Sequence, residues 1–153
     1  EAALDYGPTE RMVEHVNGAN MAARRWAIDR IGPFDASLPI YGDETEWEHR
    51  LRRAGIPIAY LPAAWLWHRR TAADLRPATM LRRRFRQGVA YTRYAAAVGE
   101  RVSIARTAWP IPFYLAHALR RRCFGAVLEV ARKLGVVWGA SNGPKIKGRR
   151  EAP

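Results

Sequence analysis

Three carboxylates fall close together at Asp43, Glu44 and Glu46, in the run Gly42-Asp43-Glu44-Thr45-Glu46-Trp47. A carboxylate held in a cleft can take the proton of an attacking hydroxyl when it lies within hydrogen-bond reach, which is general-base chemistry. Further on, His68 follows the apolar run Trp65-Leu66-Trp67, and an imidazole at the end of a strand can ligate a metal. Each feature also has a plainer reading. Asp43 and Glu46 have the spacing of a capping box, in which an acid at the helix N-cap and another three residues on satisfy free backbone N–H groups. Negative charge there also suits the helix dipole. A histidine beside tryptophans also serves as a packed rim residue. Spacing alone leaves both pairs of readings open.

The elements that must position these residues are written in local patterns. Val16 to Asn20 reads as a short strand ending in a glycine turn. Residues 25–31 form a short helix, with Ala27 and Ile31 four apart, stopped by Gly32-Pro33. After a loop to Gly42, a helix over 44–54 places Trp47, Leu51 and Ala54 on one face, with Gly55 as its stop. A strand over 56–61 follows, and residues 63–67 read as a second extended piece.

From Arg69 the character changes. Pro77 opens a long helix over 78–97 on which Leu81, Phe85 and Val89 sit four apart among arginines. Trp109-Pro110-Ile111-Pro112 breaks the chain, and a second basic helix is predicted over 113–134. Residues 141–153 hold Gly, Lys and Arg with little to bury, which predicts a disordered tail. The single cysteine, Cys123, excludes an intrachain disulfide and reads as a small apolar helix residue.

Taken together and in order, several of these pieces resemble one family. Gly18-Ala19-Asn20-Met21-Ala22-Ala23-Arg24-Arg25, Ile31-Gly32-Pro33-Phe34-Asp35, Tyr41-Gly42-Asp43-Glu44-Thr45-Glu46-Trp47, Arg50-Leu51-Arg52-Arg53-Ala54-Gly55, Tyr60-Leu61-Pro62 and His68 resemble the second half of inverting family 2 glycosyltransferases of the GT-A fold. The resemblance covers roughly residues 15–70, and Leu81 to Gly88 looks like the basic helix that often follows in that family.

The fold class it implies is α/β. Residues 1–70 would be the C-terminal part of a GT-A (nucleotide-diphospho-sugar transferase) domain, 71–140 a basic helical extension and 141–153 the tail. The family shows Glu-Asp where this chain has Asp43-Glu44, so the resemblance makes one of these two the base. It also implies that Glu46 and Trp47 line the acceptor pocket and that Gly18 and Asn20 lie near the donor sugar. His68 would help hold Mg²⁺ or Mn²⁺ at the diphosphate. The implied partners are a nucleotide-sugar donor and a glycan or lipid-linked acceptor in cell-envelope polysaccharide or glycolipid synthesis. The implied location is cytoplasmic, peripheral on the inner face of the membrane. The family's first half carries an Asp-x-Asp metal motif, and no Asp-x-Asp occurs in this chain. These residues alone are therefore expected to have no transferase activity and no tight nucleotide-sugar binding.

Charge points to a second surface. Residues 1–50 carry ten acids and five bases, a net −5, whereas 51–153 carry four acids and 21 bases, a net +17, giving +12 in all. Such a split predicts an acidic working surface and a basic one for an anionic partner. Trp109, Phe113, Tyr114 and Trp138 among the arginines favour an anionic membrane surface, because aromatic rings sit at headgroup level. A solvated helix face is the plain alternative, and nucleic acid is not expected. The uncharged stretch from Thr107 to Leu119 carries two prolines and falls short of the ~20 residues that span a bilayer. The rival reading of the whole chain is a non-catalytic basic helical module, binding anionic membrane or nucleic acid, whose acids merely cap helices.

Overall fold

The computed structural model describes residues 6–38, 41–67 and 69–143. The chain divides into two compact units, Glu1–Ser37 with Asp43–Arg69, and Leu38–Gly42 with Arg70–Pro153.

The first unit holds strand β1 (Arg11–Val13), helix α1 (Arg25–Ile31), helix α2 (Asp43–Arg53) and strand β2 (Ile58–Tyr60). β1 and β2 pair antiparallel, with Arg11 opposite Tyr60 and Val13 opposite Ile58. They are the only strands among the described residues. Helix α1 ends at Gly32, whose φ of 82° turns the chain while its N–H reaches the Ile28 carbonyl. Helix α2 has Asp43, Glu44 and Glu46 in its first turn and Arg50, Arg52 and Arg53 in its last. That polarity complements the helix dipole at both ends. Gly55 terminates it in a left-handed conformation (φ 69°). Its N–H bonds to the Arg52 carbonyl and that of Ile56 to the Leu51 carbonyl, a Schellman closure that only glycine enters without strain. Ala27, Trp47, Leu51 and Ile56 form the core, with Ile28, Ile31, Ala54 and Ile58 packed on it.

Two local expectations change here, and one strand lies where none was expected. The strand expected at Val16–Asn20 is instead a 3₁₀ turn over Gly18–Asn20, because the Asn17 side chain accepts from the Ala19 N–H and closes the backbone locally. The strand of this region lies earlier, at β1, where a short, mostly exposed segment carries no alternating pattern. Residues 63–67 are not in a strand, since Ala64 N–H turns back to the Leu61 carbonyl.

The second unit is helical: α3 (Pro77–Ala97), α4 (Ile104–Ala108), α5 (Ile111–Arg121) and α6 (Phe124–Asn142). The single helix expected over 113–134 is divided, because Arg122 adopts a left-handed conformation (φ 48°) and Cys123 is extended. α5 therefore doubles back to pack on α6. Ser141 and Asn142, expected in the tail, belong to α6, and residues 144–153 lie outside the described residues. α3 and α6 meet backbone to backbone through glycines. A β-carbon at Gly88 would lie 2.0 Å from the Arg132 carbonyl oxygen, and one at Gly135 would lie 2.1 Å from that of Phe85. Gly139 is similarly close to the Thr92 side chain. Small residues four apart on both helices, Gly88 with Thr92 and Gly135 with Gly139, permit this approach. No described helix is long and apolar enough to cross a membrane.

Candidate active site

The acids of α2 divide by the direction each faces around the helix. Glu46 and Arg50, one turn apart, pair on one side. Arg50 Nε donates to both oxygens of Glu46, at 2.8 and 3.0 Å, and its remaining nitrogens donate to the carbonyls of Ile31 and Pro33. Trp47 is 2% exposed; its indole N–H donates to the Gly32 carbonyl at 2.9 Å and its ring packs on Phe34. Together Glu46, Trp47 and Arg50 hold the turn after α1 against α2. Neither face of the indole is open to a sugar ring in this arrangement, and the Glu46 carboxylate is occupied. Acceptor lining by these two residues therefore finds a different geometry here, a buried brace. The capping box does not form in the expected way either. Asp43 is the first helical residue rather than the cap, and Glu46 is directed one turn forward to Arg50.

Glu48 is the acid that spacing did not single out. It is fully buried, accepts from His15 Nδ1 at 2.5 Å and accepts from the Val16 N–H at 2.9 Å. This clasp fastens the segment before the glycine turn to α2. Its only sequence signal is position: Glu48 lies one turn after Glu44 and beside Trp47 on the inward side. Replacing Glu48 by Ala leaves the Val16 N–H and the His15 ring without their acceptor, and a buried group so orphaned costs about 1–3 kcal/mol. Urea denaturation should therefore show a lower midpoint for this variant. An unchanged midpoint would remove the clasp from the account.

The clasp brings Gly18 against Glu44. A β-carbon at Gly18 would meet the Glu44 carboxyl carbon at 3.0 Å and Oε1 at 3.1 Å, so glycine here gives that carboxyl its room. Asn20 Nδ2 donates to the Ala64 carbonyl at 2.6 Å, tying the segment after β2 to the same turn. Gly18, Asn20, Asp43 and Glu44 thus share one neighbourhood, although Gly18 and Glu44 come from opposite ends of the intervening helix and loop. The pKa of Glu44 is raised above its ordinary value near 4.5. Burial is the largest cause, followed by a hydrogen bond with the Asp43 carboxyl and the negative charges of Asp43 and Glu48. Two residues before Asp43, in the second unit, Tyr41 holds a φ of 90°, a conformation that bulky side chains rarely adopt.

His68 lies outside the described residues. Among the described residues no three His, Cys, Asp or Glu side chains converge as a metal set. Of the α2 acids, Glu46 and Glu48 are thus engaged by other groups, which leaves the Asp43–Glu44 pair. In comparisons with known proteins, no family model, no curated protein and no solved structure matches this chain.

Proposed function

We propose that the chain carries the acceptor side of an inverting glycosyl transfer, with Glu44 as the base on the acceptor hydroxyl and Asp43 as its hydrogen-bonded neighbour. One observation carries the reading: the raised-pKa carboxyl of Glu44 lies over the Gly18 turn. An acid brought toward the operating pH is a more effective base than one left at its solution value. The glycine beneath it leaves the carboxyl the space that a side chain would crowd. In the reaction, Glu44 accepts the hydroxyl proton as the acceptor oxygen bonds to the anomeric carbon. The bond from that carbon to the nucleoside diphosphate breaks on the opposite side, so the configuration inverts. The proton then rests between Glu44 and Asp43 until solvent removes it. Mg²⁺ or Mn²⁺ at the donor diphosphate would offset the charge building on the leaving group; His68, which the resemblance assigns to it, lies outside the described residues.

The order of motifs from Gly18 to His68 supports the same family of reaction, and the absence of an Asp-x-Asp assigns the donor's diphosphate to another part of such an enzyme. The test is stereochemical. A polypeptide joining this chain to an Asp-x-Asp-bearing half, given α-linked nucleotide sugars and a lipid-linked glycan acceptor, should yield β-linked product by proton NMR of the anomeric signal. Retained configuration, or no transfer from any donor by a folded protein, would overturn the proposal.

A further inference from the structure

Helix α5 buries none of its residues, and its more exposed side is largely apolar. Tyr114 and Ala118 face α6, where Lys133 lies over the Tyr114 ring at 5.4 Å. Tyr114 is thus an internal contact and not one of the outward aromatics. The opposite side presents Trp109, Phe113, Leu115 and Leu119, at 76, 66, 44 and 81% exposure, with Pro112 and Ala116 exposed between them. These positions recur at three- and four-residue intervals, so they form one stripe along the helix. The Trp109 and Phe113 rings lie 6.4 Å apart within it. An open groove of about 450 Å³ between α5 and α6, lined by Phe113, Tyr114, His117, Cys123, Ala126 and the acid Glu129, borders the stripe.

Charge identifies what covers such a stripe. Between Glu100 and Glu129 the chain carries five arginines, Arg101, Arg106, Arg120, Arg121 and Arg122, and no acid, and Glu129 is itself paired with Arg132. All five are exposed, and in sequence they bracket the apolar residues at both ends. A second copy of this chain would set the same arginines against their own kind. Nucleic acid would leave the tryptophan, phenylalanine and leucines without an apolar partner along a duplex. An anionic bilayer surface satisfies both components, taking apolar side chains to the depth of the acyl boundary while the guanidinium groups reach the phosphates.

We propose that α5, entered through Trp109, is an interfacial helix that docks this chain on anionic phospholipid. It lies in the plane of the surface without crossing it. This inference is independent of the transferase reading, since it rests on the second unit alone.

Flotation of the full chain tests it, using vesicles of phosphatidylcholine with phosphatidylglycerol in equal parts, against phosphatidylcholine alone. The chain should float with the mixed vesicles and be released by 1 M salt, where the screening length falls to about 3 Å. Changing Trp109, Phe113 and Leu119 together to Ser removes exposed side chains, so circular dichroism and the thermal midpoint should be retained while binding drops at least tenfold. Changing Arg120, Arg121 and Arg122 to Gln should weaken binding about 10²-fold, each arginine contributing about fivefold near an anionic surface. Equal flotation on neutral vesicles, or no loss in the folded serine variant, would overturn the proposal. So would duplex DNA binding that survives the serine changes and outcompetes the vesicles. A dimer in light scattering that the serine changes dissolve would assign the stripe to a second copy instead.

Discussion

Changing Glu44 to Gln should lower transfer by the assembled enzyme about 10²–10⁴-fold, the usual contribution of a positioned general base, while the folded protein becomes no less stable at neutral pH. The second half of that expectation follows from linkage. Burial and the neighbouring carboxyls raise the folded-state pKa of Glu44 above its ordinary value, so the folded chain binds a proton more tightly than the unfolded one. Stability contributed by this group is present at low pH. It declines as pH rises from the ordinary carboxylate value through the raised one, and above that window the cost is complete. Glutamine cannot ionise, so this part of the pH dependence should flatten, and the variant's denaturation midpoint at neutral pH should match or exceed the parent's. If Glu44 served mainly to favour the start of α2, the sign would reverse, because an acid in the first turn is worth about 0.3–1 kcal/mol that glutamine would forfeit. Lost turnover with a flattened stability profile supports the base. Retained turnover with lost stability would return Glu44 to a capping role. An Asp at position 44, with the same chemistry on a shorter arm, should recover only part of the rate.

The largest stability effect is expected where α3 crosses α6. Gly135→Val or Gly88→Val should destabilise the second unit by about 3 kcal/mol or more, at or beyond the upper end of ordinary overpacking. The reason is what the new carbon would meet. At both positions the nearest atoms are main-chain carbonyls of the opposing helix, within about two ångströms of the added carbon. A flexible side chain could swing away, but these carbonyls can move only if the helices separate. A loss of that size is a large share of the 5–15 kcal/mol typical of a domain, and the thermal midpoint should fall accordingly. Gly125→Ala supplies the control on the same helix. Its nearest neighbour is the Cys123 sulfur at 3.8 Å, so alanine fits and should be neutral or stabilising by up to about 1 kcal/mol. If Gly135→Val melts like the control, α3 and α6 do not meet as described.

The two helices of the first unit show what local sequence carries well. The apolar spacing of Ala27 with Ile31, and of Trp47 with Leu51, predicts α1 and α2 to within a residue or two. Gly32 and Gly55 end them with the left-handed turns their lack of a side chain permits. Pro77 likewise opens α3. These signals are contained within a few residues and need no partner. The break at Arg122 has no such signal, because an arginine enters the left-handed region only when the packing of α5 on α6 favours the turn. β1 is equally silent, since a short, exposed strand depends on β2, which lies far along the chain.

The cluster from Asp43 to Glu46 shows the same division at the scale of chemistry. Local composition alone places several acids in the first turns of one helix after a glycine and gathers the basic residues in the second half of the chain. Their roles were decided by tertiary contacts. Arg50 and the turn after α1 take Glu46, and His15 and Val16 take Glu48. The Gly18 turn leaves Glu44 a half-buried place beside Asp43. The chain's local pattern assigns these carboxylates one composition and one helix. Segments distant in sequence bury Glu48 and engage the Glu46–Arg50 pair, while burial together with the neighbouring Asp43 and Glu48 on the same helix raises the pKa of Glu44.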